Sequence, residues 1–154
     1  MKQLDLKLFT RIALFAAIIL VVQQFKLQYI TGPLVNTTLL FTTMIAGMPG
    51  AIFISFLSPL LALVQGIMPN AALFPFIALG NFLYCVVFFA FRRELYGTIF
   101  APMLKALVIA AGAYFVVGLP LPGAYAVGLP QLLTAILGSL LFIIIQAYLP
   151  KLNI

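Results

Sequence analysis

Apolar residues in this chain fall into six long runs, separated by short stretches that collect most of its prolines, glycines and charges. A helix needs about 20 predominantly apolar residues to cross a hydrocarbon core of about 30 Å. The first run, Leu6 to Leu27, meets that length, covering about 33 Å at about 1.5 Å per residue. The stretch Lys26-Leu-Gln-Tyr-Ile-Thr-Gly-Pro33 ends it. The second, Leu34 to Ala46, is short for a full crossing and closes on Gly47-Met-Pro-Gly50, which reads as a tight turn. The third runs from Ala51 to Val64, with Gln65-Gly-Ile-Met-Pro-Asn70 as its loop, and the fourth from Ala71 to Phe91, stopped by Arg92-Arg-Glu94. Tyr96 to Val117 forms the fifth. Residues 118 to 130 read as loop by their Pro and Gly content, and Gln131 to Leu149 forms the sixth, ending at Pro150-Lys151. The pattern predicts an all-α membrane protein, six transmembrane helices in one bundle, with residues 1–154 as a single integral membrane domain and no internal repeat of fixed period.

Composition supports that class. Hydrophobic residues make up 66% of the chain and charged ones 6%, against roughly 25% charged in soluble domains. The net charge of +6 comes from eight basic residues against Asp5 and Glu94. These cations stand singly or as one pair at the ends of apolar runs, which points to membrane orientation and away from nucleic acid. With the amino terminus in the cytoplasm, Lys2, Lys7, Arg11, Arg92, Arg93 and Lys151 all lie at cytoplasmic ends and Lys26 alone lies outside, so both termini are expected inside. Lys105 falls within the fifth run, about two turns from its cytoplasmic start, and is expected to snorkel.

The chain has no His, one Cys and no acidic residue inside an apolar run, which removes most catalytic and metal-binding constellations. No enzyme activity, metal or cofactor is expected, and Cys85, in Leu-Tyr-Cys-Val-Val, reads as a small packed hydrophobe. The three outward loops, residues 26 to 36, 65 to 70 and 118 to 130, are also the most irregular and polar. Near them stand Gln23, Gln24, Asn36, Thr37, Thr38, Gln65, Asn70, Gln131 and Thr134, with Asn81 half-way down the fourth run. Taken singly, each reads as a helix cap or an interhelical hydrogen bond, Asn36 as a cap of the second helix. Their gathering at one end suggests a small-molecule site with a few orienting polar groups in apolar surroundings. The candidate substrate-binding residues are Lys26, Tyr29, Asn36, Gln65, Asn70, Asn81 and Gln131, with Tyr84 and Phe74 as apolar lining and Lys26 as the charge available to a carboxylate.

On the first helix Ala13, Ala16 and Ala17 fall at i, i+3 and i+4 and leave one face nearly without side-chain volume. Lipid gives no hydrophobic drive between helices, and small residues permit close approach instead. That face is either a docking surface for another subunit or a packing surface within the chain.

Six spans in about 150 residues, both termini inside, and Ala-x-x-x-Ala (Ala13, Ala17) on a first helix preceded by a basic residue together resemble the substrate-binding S-components of energy-coupling-factor (ECF) transporters. Gly32-Pro-Leu-Val-Asn36, Gly47-Met-Pro-Gly50, Ser58-Pro59, Gln65-Gly-Ile-Met-Pro69 and Ala78-Leu-Gly-Asn81 look like the small S-components of unassigned substrate. The resemblance implies a vitamin- or micronutrient-capturing subunit of a bacterial or archaeal plasma membrane. It implies docking through Ala13 and Ala17 onto a transmembrane coupling subunit, with two ATP-binding subunits driving the binding subunit to topple. No motif matches the thiamin, riboflavin or biotin members. The chain has no phosphate-cradling loop of its own, so uphill import requires such partners. Two other readings stand beside this one: an oligomeric channel or facilitator, which needs polar residues through the full depth of the bundle, and a structural subunit without a ligand.

Overall fold

The computed structural model describes residues 2–68, 70–91 and 95–148. It contains α1 (Lys2–Gln23), α2 (Gln28–Val64), a 3-10 turn (Ala71–Leu73), α3 (Phe74–Ala90), α4 (Leu95–Phe115) and α5 (Leu121–Tyr148). The five α-helices are each long and apolar enough to cross a membrane. An all-helical form suits that solvent, because backbone polar groups in hydrocarbon must be satisfied within their own segment. The charges expected at Arg92, Arg93, Glu94 and Lys151 lie outside the described residues.

The second and third apolar runs form two helical segments joined directly across a kink at Gly47 (φ 66°, ψ −165°), together the 37 residues of α2. Gly accepts that backbone geometry at no steric cost, and Pro49 then restarts the helix in its first turn, where a missing N–H does no harm. The expected tight turn over residues 47–50 is thus a one-residue break. Arg11 closes it from the side: its Nη1 donates to the Ile45 carbonyl at 2.8 Å, placing a cation where the 28–46 half ends.

Two expected loops are largely helix. α2 begins at Gln28, so the connection from α1 is confined to residues 24–27, and α5 begins at Leu121, so the connection from α4 is residues 116–120. Pro122 stands in the first turn of α5, where proline is tolerated. Gly66 (φ 68°) and Gly118 (φ 74°) end α2 and α4. In each case a later N–H turns back to a free carbonyl, Ile67 to Ala62 at 2.9 Å and Leu119 to Ala113 at 3.0 Å, which is the left-handed closure that glycine favours.

In the packing, α2, α3, α4 and α5 close a ring, each against its two neighbours, while α1 lies outside and packs on α2. The core of the ring includes Leu39, Leu40, Ile54, Tyr84, Phe88 and Phe142, with Phe88 and Phe142 edge to face at 5.1 Å between centroids. α1 contributes Phe15 and Ile19 to this core, and Ala16 packs against it. Ala13 and Ala17 point away and are exposed. The expected alanine face is therefore divided, Ala16 serving the contact with α2 and the other two facing out. Cys85 is fully buried, its Sγ 3.8 Å from Ser55 Oγ.

Candidate functional site

A cavity of about 120 Å³ lies at the end of the bundle that carries the α1–α2 and α2–α3 connections. Its lining comes from every helix: Gln23 of α1; Gln28, Thr31, Gly32, Val35, Asn36, Ser58, Pro59 and Ala62 of α2; Ile77 and Asn81 of α3; Lys105 of α4; and Gln131 of α5, with Ile67 and Met68 from the loop after α2. Apolar and neutral polar groups alternate around it, and Lys105 is its one charged residue.

Lys105 stands mid-way along α4, ten residues from either end, which is about 15 Å of helix. Its stem does not carry the amine to a membrane surface, as snorkelling would require. The side chain is 2% exposed, Nζ donates to Asn36 Oδ1 at 2.5 Å, and it stands 5.5 Å from the centroid of the Tyr84 ring, within cation–π range. No acidic residue occurs between residues 6 and 93 or between 95 and 154, so the helix segments around the cavity hold no carboxylate for it.

Asn36 is held from two sides. Its Nδ2 donates to the Gly32 carbonyl at 2.9 Å, which leaves Oδ1 to accept from Lys105. It sits well inside α2 and does not cap that helix. The threonines beside it bond backward within α2, Thr37 to the Pro33 carbonyl and Thr38 to that of Leu34, each at 2.8 Å, the usual way a hydroxyl is satisfied mid-helix. Thr37 also reaches the Gly138 carbonyl at 3.0 Å, tying α2 to α5.

A second polar group gathers around Ser58. Gln23 Nε2 donates to the Ser58 carbonyl at 2.6 Å, and Asn81 Nδ2 donates to Ser58 Oγ at 3.0 Å. Both amides thereby commit their nitrogens and turn their oxygens the other way. Gln23 Oε1, Asn81 Oδ1 and Thr31 Oγ1 are buried and have no hydrogen-bond partner among the described residues. A buried polar atom left so costs about 1–3 kcal/mol. Three such atoms belong to residues that line one small cavity.

Of the candidate substrate-binding residues, Asn36, Asn81 and Gln131 come together here, joined by Gln23 of the wider polar set. The other candidates lie elsewhere. Lys26 is exposed in the connection after α1 with φ 54°. Tyr29 is 65% exposed and borders an outer apolar groove with Pro33, Leu137 and Ile144. Gln65 follows the last turn of α2, its Oε1 buried without a partner. Asn70 accepts from the Ala72 N–H at 2.9 Å, capping the 3-10 turn. Tyr84 lies one turn beyond Asn81 as part of the packed floor, its hydroxyl 2.9 Å from Ser139 Oγ. Sequence reasoning missed Lys105 as a cavity residue. Its distance from both helix ends was the available signal.

Close helix crossings fix this geometry. A Cβ on Gly138 would lie 2.5 Å from Asn36 Cβ and 2.9 Å from the Pro33 carbonyl, and one on Gly32 would lie 2.6 Å from Thr134 Cγ2. Backbone at Pro33 cannot yield as a flexible side chain can. Gly138→Ala is therefore expected to lower unfolding free energy by about 1–3 kcal/mol, the range for overpacking, and to displace Asn36 from Lys105. Gly123→Ala, whose added Cβ would meet nothing closer than 3.5 Å, serves as control in thermal unfolding in detergent, and equal behaviour of the two variants would count against a tight α2–α5 crossing.

Among the described residues no three metal-ligating side chains come together. Comparisons with protein-family models, with curated proteins and with solved structures find no match to this chain.

Proposed function

We propose that this chain is the substrate-binding membrane subunit of an ECF-type importer, taking a vitamin or similar micronutrient from outside a bacterial or archaeal plasma membrane. In this reading the two halves of α2 cross the membrane separately, each about 26–28 Å long at about 1.5 Å per residue, so the chain crosses six times. Lys7 and Arg11 then lie at the cytoplasmic end with both termini, and the cavity opens toward the outside.

The observation that carries the reading is the cavity itself: small, lined by five helices, and equipped with Lys105 and three unpaired polar atoms. Beneath it Leu39, Leu40, Ile54, Tyr84, Phe88 and Phe142 are fully buried and packed together. A static channel requires polar lining through the whole depth, and this apolar layer opposes one. A captured solute has no path through such a layer, so its release inward depends on movement of the protein, and energy for uphill movement comes from partner subunits. The exposed Ala13 and Ala17 supply a face on which a coupling subunit can seat closely.

The test is purification of the chain alone, mass spectrometry of whatever small molecule accompanies it, and solute flux in liposomes. A bound small molecule without flux is the expected result. Flux sustained by the chain alone would overturn the reading in favour of a facilitator.

A further inference from the structure

The cavity is polarised in a way that specifies its guest. Lys105 brings to the lining an amine whose only hydrogen-bond acceptor among the described residues is Asn36 Oδ1; an ammonium has three N–H donors. In the same lining Gln23 and Asn81 converge on Ser58 through their nitrogens and leave two carbonyl oxygens, both buried, without donors among the described residues. An uncompensated charge at membrane depth is costly and is ordinarily paired. The surrounding segments hold no acidic side chain to pair it. Size sets the remaining limit: about 120 Å³ is comparable with a cavity that holds benzene, about 150 Å³.

We propose that the guest is a small carboxylate, its anionic end accepting from Lys105 and its opposite end offering N–H or O–H donors to Gln23 Oε1 and Asn81 Oδ1. This deepens the solute-capture reading and rests on it. The arrangement assigns recognition of charge to Lys105, with Asn36 holding the amine in place and the Tyr84 ring at its back. Lys26, exposed outside the cavity, takes no part in it.

Thermal-shift titration of the whole chain in detergent tests this assignment. The probes are 4-aminobenzoate, pyrrole-2-carboxylate and 4-aminobutyrate, each beside its primary amide, on the native protein and on Lys105→Met. At least one acid is expected to stabilise the native chain, with half-saturation at least ten-fold lower than for its amide, and to lose its effect on Lys105→Met. The unliganded melting temperature of Lys105→Met is expected close to that of the native chain, because the loss of a buried charge offsets the acceptor left unpaired at Asn36 Oδ1. Should that variant fail to fold, the acid-to-amide preference of the native chain decides alone. Equal binding of acid and amide, or acid binding unchanged in Lys105→Met, overturns the carboxylate while leaving capture of a neutral solute standing. No response to any acid also overturns it, and if no small molecule accompanies the purified chain either, the capture reading falls with it.

Discussion

Asn36→Leu is expected to destabilise the protein by about 1.5–3 kcal/mol, and the double replacement Asn36→Leu/Lys105→Met to recover most of that loss. Leu keeps the branching and heavy-atom count of Asn, and the Cβ that Gly138 approaches is common to both residues. What disappears is the bond to the Gly32 carbonyl and, at greater cost, the one acceptor that Lys105 has among the described side chains. Hydrogen bonds to charged groups contribute about 1.5–3 kcal/mol, and a charged donor left without its acceptor loses at least that. Removing the amine as well removes the orphan. Magnitude decides the interpretation, since ordinary side-chain hydrogen bonds between membrane helices average only about 0.6 kcal/mol in double-mutant cycles. Equilibrium unfolding in mixed micelles of the four proteins measures the coupling. A value near that average would mean that the contact is an ordinary neutral one and that Lys105 exerts no special demand on its surroundings.

Ala17→Phe is expected to leave stability and solute binding within error of the native chain and to abolish association with a coupling subunit. Ala17 is exposed on α1 beside Ala13, so a phenyl ring there enters lipid without displacing a neighbour, and surface changes of this kind usually shift stability by no more than about 0.5 kcal/mol. A partner that approaches over two alanines meets the ring directly, because close helix contact in lipid depends on small residues at the crossing. Ile18→Phe, at a position 37% exposed and about 100° around the helix from Ala17, is the control and is expected to change neither property. Co-purification of tagged chain with coupling subunits, read alongside solute binding, checks the pair. Complex formation by Ala17→Phe at native yield would remove Ala13 and Ala17 from any docking role.

Hydropathy made the membrane helices legible because a spanning segment must be long and apolar, but it misplaced two boundaries. Gln28, Thr31, Gly32 and Pro33 carry the marks of a loop, as do Pro120, Pro122 and Gly123, yet most of these residues are helical. In a bundle, Gly32 is the small residue that lets α2 approach Thr134 of α5, and Gly128 does the same toward Ala110 of α4. Glycine as a contact and glycine as a breaker look alike in one sequence. The amides divided for a similar reason. Asn70 satisfies its own turn and Asn36 reaches across helices, and nothing in their sequence neighbourhoods separates the two. Lys105 was open to a better reading, since about 15 Å of helix on either side exceeds what a lysine stem spans.

Gln23 is the last residue of α1, and it forms part of the cavity wall while holding the Ser58 carbonyl at 2.6 Å. Ala13 and Ala17 ride on the same rod, and the main packing of that rod is on α2. α1 is therefore placed as a lever: Ala17 and Gln23 stand about 9 Å apart on one rod, and a swing of this helix would carry that part of the cavity wall with it.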